Sequence, residues 1–105
     1  MLSLKPGVRI TGIRPEILFA VVAVERAYAE AGFDTMVTSC LEGQHSSGSF
    51  HYAGAAADLR TNQVPTDRLQ PLVEKIRVAL GGDFDVILEA DHLHIEFQPK
   101  RPFST

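Results

Sequence analysis

Only one cysteine, Cys40, stands among the 105 residues, so no internal disulfide can form and the fold cannot rest on one. No apolar run approaches the roughly 20 residues needed to span a bilayer, and the opening "MLSLKPGVRITG" lacks an apolar stretch of signal-peptide length. Those absences point to a chain without a membrane span that is made in the cytoplasm. A basic surplus is missing too. Ten Lys and Arg against 13 Asp and Glu leave a formal charge of −3, which offers no electrostatic footprint for a nucleic-acid partner. Repeats, low-complexity runs and linkers are also absent. With 45% hydrophobic and 22% charged residues, residues 1–105 read as one globular domain around one modest core.

The pattern that is present predicts an α+β domain. "RPEILFAVVAVERAYAEAG" reads as a helix with Pro15 at its first position and Gly32 just past its end. Ile17, Val21, Val24, Tyr28 and Ala31 form its buried stripe. "DTMVTSCL" has strand character, with Cys40 a small buried residue in it. "AGAAADLRT" alternates so that Gly54, Ala56 and Asp58 share one face. "DRLQPLVEKIRVALGG" is a second helix; Pro71 removes a backbone donor, so regular helix is expected to start close to it. "FDVILEA" and "HLHIEFQ" follow as strands joined by a turn near Asp91. Leu93, Ile95 and Phe97 would pack on the helices, leaving His92, His94 and Glu96 to face a cleft or solvent. The expected architecture is a small antiparallel sheet backed by helices.

Chemistry concentrates in "HSSGSFHYAGAAADLR" and "LEADHLHIEF". Neutral imidazole and carboxylate oxygen both suit Zn²⁺, and a catalytic zinc takes three protein ligands while keeping a fourth position open. His51 and Asp58 would supply two ligands if the small residues between them let the chain loop back, and His94 the third from a neighbouring strand. A carboxylate must then take a proton from water: Asp91 at the turn, or Glu89 as the second candidate. Blander accounts exist for each residue. A His-x-His strand can be a solvated polar face, and an aspartate ending a strand is commonly a turn or cap residue.

The two elements together resemble one family. "SFHYAGAAADLR" matches the Ser-x-His-x6-Asp element of the zinc D-Ala-D-Ala carboxypeptidase and phage L-alanyl-D-glutamate endolysin family, and "DHLHIEF" matches its closing strand. The resemblance runs from about Thr35 to Phe97. It implies a hedgehog/DD-peptidase fold holding one zinc, with His51, Asp58 and His94 as ligands and Asp91 as general base. His92 would stabilise the tetrahedral intermediate, and Ser49 would touch substrate. A second register makes Glu89 the base and His92 the ligand, and leaves His94 without a role. One departure is plain: where the family carries an arginine in a "Ser-Gly-Tyr-Arg" stretch, this chain reads "TSCLEGQH". His45 or Arg60 would have to compensate in binding substrate.

The resemblance therefore implies a zinc metallopeptidase that cleaves an amide bond in the stem peptide of bacterial peptidoglycan. Without a leader, such an enzyme would reach the wall by a partner such as a holin, or be carried on a virion. Two rivals remain open: a zinc-binding module of the same fold that lacks catalysis, and a metal-free phage structural or assembly protein. An acid at position 91 argues against the first, and stoichiometric zinc would exclude the second.

Overall fold

The computed structural model of the chain describes residues 1–41 and 54–99. Within them the elements run β1 (Leu2–Leu4), α1 (Pro15–Glu30), β2 (Thr35–Ser39), β3 (Ala56–Arg60), α2 (Thr66–Leu80), β4 (Phe84–Leu88) and β5 (His92–Phe97). The fold is α+β, with the strands in one sheet ordered β1-β2-β3-β5-β4.

The sheet is mixed rather than wholly antiparallel. β2–β3, β3–β5 and β4–β5 pair antiparallel, but β1 lies parallel to β2, with Leu2 opposite Thr35 and Leu4 opposite Val37. Three residues carry too little alternation to announce a strand, and a parallel neighbour is set by the crossover helix between the two rather than by a local turn.

Both helices cover one face of the sheet. From α1, Ile17, Val24 and Tyr28 are essentially inaccessible, and from α2 so are Val73 and Ile76. They pack on Val37, Ala57, Leu59, Leu93 and Ile95, the residues that the pleat sends to the same side. α1 begins with Pro15 at its first turn and is followed by Gly32 at φ +91°, a left-handed position suited to a residue without Cβ.

α2 starts five residues before Pro71, contrary to the expectation that the proline would mark its beginning. Pro71 costs the helix a single backbone hydrogen bond. Against that, the first turn packs Leu69 on the core, carries Asp67 where the helix dipole favours a negative charge, and closes with Arg68 N–H donating to Pro65 O at 2.9 Å. Tertiary packing outweighs the local penalty.

Gly54 also has a role other than the expected clearance for a metal. Its φ is +72°, and a Cβ there would lie 2.5 Å from Gly12 O. Its carbonyl accepts Arg14 N–H at 2.9 Å. The glycine lets β3 start against the turn that leads into α1. No helix among the described residues is long and apolar enough to cross a membrane.

Candidate metal centre

The helices occupy one face of the sheet; the candidate site lies on the other. In the β3–β5 ladder Arg60 stands opposite His92, Asp58 opposite His94, and Ala56 opposite Glu96. Because these three pairs alternate with the core pairs Leu59–Leu93 and Ala57–Ile95, the pleat points all of them away from the helices. Asp58 and His94 thus meet although 36 residues separate them in sequence: Asp58 Oδ1 lies 2.8 Å from His94 Nδ1.

The other ring nitrogen of His94 is engaged as well. Nε2 lies 2.8 Å from Glu96 Oε1, two residues along the same strand face. The ring is thus held between two carboxylates, an arrangement that favours its protonated form. The His94 pKa is accordingly raised above its usual value, first by the hydrogen bond to Asp58 and further by Glu96, while burial pulls the other way. A buried aspartate at this position, 9% exposed, is tolerated because its charge is matched.

His92 and Asp91 form a second pair at the edge of the site. Asp91 Oδ1 accepts from His92 Nδ1 at 2.7 Å, which leaves His92 Nε2 facing Asp58 Oδ1 at 3.8 Å. Asp91 is almost fully exposed, and the hydrogen bond from His92 holds its carboxyl below the ordinary carboxylate range. It is therefore ionised at neutral pH, the form that can accept a proton. Glu89 is exposed at the start of the β4–β5 turn, its backbone N–H donating to His92 O at 2.9 Å.

The donor chemistry of Asp58 and His94 fits zinc. A carboxylate oxygen and an imidazole nitrogen are both ordinary zinc donors, and here they stand 2.8 Å apart on neighbouring strands. Glu96 would then keep the remaining proton on Nε2 and so present the Nδ1 lone pair to the metal, the usual office of an outer carboxylate. Among the described residues no three His, Cys, Asp or Glu side chains are gathered as a complete ligand set. The expected third ligand, His51, lies outside the described residues, as do Ser49 and His45.

Arg60 closes the picture on the opposite side of His92. With Lys5, Thr38, Asn62, Asp91 and His92 it lines a polar cleft of about 350 Å³. Glu96, Lys5, Thr38 and Asn62 had not been assigned roles from sequence. The alternation in "HLHIEF" carried a signal for Glu96, which shares the face of His94. Nothing local carried one for Lys5, which comes into place only through the parallel pairing of β1. No protein-family model matches the chain, and no curated protein matches it either.

Proposed function

We propose that the chain is a zinc metallopeptidase of hedgehog/DD-peptidase-like fold that hydrolyses an amide bond in the peptidoglycan stem peptide. The observation that carries the reading is the direct pairing of Asp58 and His94 on adjacent central strands, both on the face away from the helices. The order of motifs along the chain, with His51 upstream of Asp58 and Asp91 three residues before His94, supports the same reading.

When bound, zinc supplies a Lewis acid for a carbonyl and a lowered pKa for water. Asp58 and His94 would hold it, with His51 as the third ligand. Asp91, ionised and exposed, takes a proton from the attacking water and delivers it to the leaving amine as the C–N bond breaks. His92, fixed through Nδ1 by Asp91, turns Nε2 towards the site, where in its imidazolium form that nitrogen would donate to the oxyanion. An enzyme of this kind acts on the cell wall after release or as part of a virion.

One observation favours a second reading. Asp58, His94 and Glu96 satisfy one another without a metal, as a structural or assembly module of the same fold would require. The two readings separate on digestion of purified peptidoglycan by the zinc-supplemented chain. Mass spectrometry should find stem-peptide fragments with new amino termini at one kind of bond. An unchanged muropeptide profile, with zinc bound, would leave the non-catalytic module; absence of bound zinc would leave the structural protein.

A further inference from the structure

The outer surface of the helix layer, on the far side of the sheet from the candidate metal centre, carries an apolar seam. Ile17, Val21, Val24 and Tyr28 turn one side of α1 to the sheet. Phe19, Val22, Ala23 and Arg26, at offsets of three, four and seven residues, lie along the opposite side. Phe19 is 76% exposed, Val22 58% and the adjoining Leu18 47%. Single exposed apolar residues are ordinary, but these are contiguous. They also border a groove of about 410 Å³ between α1 and α2, in which Ala23 and Ala27 leave room between Arg26 and Lys75. The Lys75–Glu30 ion pair joins the two helices where this groove gives way to the next.

We infer that this seam is a self-association surface, on which a second copy of the chain lays its α1 antiparallel about a twofold axis between Val22 and Ala23. A twofold contact is isologous, so one face must supply both halves of every pairing. This face does so. With the axis there, residue 19 of one copy stands level with residue 26 of the other, because the two lie seven residues apart, about 10 Å along the helix. The Phe19 ring enters the partner's groove over its alanines and beneath its Arg26 guanidinium, a cation–π contact made twice. The two Arg26 charges stay about 10 Å apart, close to the screening length of physiological salt, and the antiparallel helix dipoles attract. A copy is favoured over an anionic membrane because the chain carries a net charge of −3. Phe19 brings about 150 Å² to the contact and the whole seam about 500 Å², so the pair buries about 1,000 Å², the lower limit for specific association. That size sets a dissociation constant on the order of 10–100 µM. The inference is independent of the peptidase reading: since helices and candidate site occupy opposite faces of the sheet, both Asp58–His94 faces stay open and point away from each other.

The test is sedimentation equilibrium of the full chain at concentrations from about 1 to 500 µM, a range that brackets that constant. The wild type should pass from monomer to dimer and go no further. Phe19→Glu should weaken association at least tenfold, and Arg26→Ala by less, about threefold to fivefold. Val78→Glu, on an equally exposed residue beside β4 and outside the seam, should change nothing. Because Phe19 projects from the surface, its variant should keep the wild-type melting temperature. Ala23→Cys should form an intermolecular disulfide on oxidation, which checks the position of the axis. A monomer at 500 µM, or a dimer that Phe19→Glu leaves intact, would overturn the inference. A monomer whose melting temperature falls in Phe19→Glu would overturn it and assign the groove to another part of the same chain. Monomer that co-sediments with phosphatidylglycerol vesicles through Phe19 would overturn it in favour of a lipid surface.

Discussion

Asp58→Asn removes one charge from the centre of the site while keeping its shape and one acceptor. Asp58 and His94 side chains are only 13% and 15% exposed, so water screens their interaction little. In the metal-free protein the substitution exchanges a charge-assisted hydrogen bond at 2.8 Å for a neutral one, a cost of about 1 kcal/mol. Its effect on the metal is larger. Dividing the roughly 10–16 kcal/mol of a four-ligand zinc site among its ligands gives about 3 kcal/mol each, close to a hundredfold in affinity. Chelator competition against a fluorescent zinc indicator reads the second quantity, and urea unfolding in the presence of chelator reads the first. The His94 pKa, followed by carbon-detected NMR of the imidazole, should fall as well, because Asp58 is the first cause of its rise. Zinc affinity within a factor of three of the wild type would refute Asp58 as a ligand. An unchanged His94 titration would refute the pairing itself.

Asp91→Ala should retain zinc at full stoichiometry and abolish release of peptidoglycan fragments, whereas His51→Ala should lose the metal; elemental analysis beside a digestion assay checks both. Gly54→Ala should destabilise the fold by about 3 kcal/mol, since it forces an L-residue to positive φ and drives a methyl group against the Gly12 carbonyl; a urea melt measures it. Stability should also depend on pH in a way that zinc alters. His94 is raised in the folded state, so its contribution is fully present below the unfolded imidazole value near 6.5 and is lost as pH climbs through the raised value. Zinc binds the neutral ring, so the zinc-dependent increment in melting temperature should grow over the same interval. A pH-independent increment would contradict the assignment of His94 as ligand.

Much of this arrangement was legible in the sequence where one short-range rule applied. The period of α1, its Pro15 start and its Gly32 end follow from three- and four-residue spacing and from backbone limits on two residues. The two-residue period of "HLHIEF" sent Leu93 and Ile95 to the core and His94 to the opposite face. What was hidden is non-local. The start of α2 before Pro71 depends on Leu69 meeting a core that no local pattern reveals. β1 and its delivery of Lys5 to the cleft depend on a partner more than 30 residues away. Gly54 looked like clearance for a metal, but its missing Cβ admits the Gly12 backbone. In the site, the motif placed Asp58 and His94 on strands, but only the β3–β5 register makes them direct neighbours. Glu96 gains its part from the two-residue period of β5 itself, which sets it beside the outer nitrogen of His94.

The most direct measurement is an anomalous-difference map at the zinc edge from crystals of the full chain grown or soaked with zinc. One strong peak should lie about 2.0–2.2 Å from both Asp58 Oδ1 and His94 Nδ1, with a His51 nitrogen at the same distance. A map with Asp58 and His94 still hydrogen-bonded to each other and no peak between them would contradict the account at its centre.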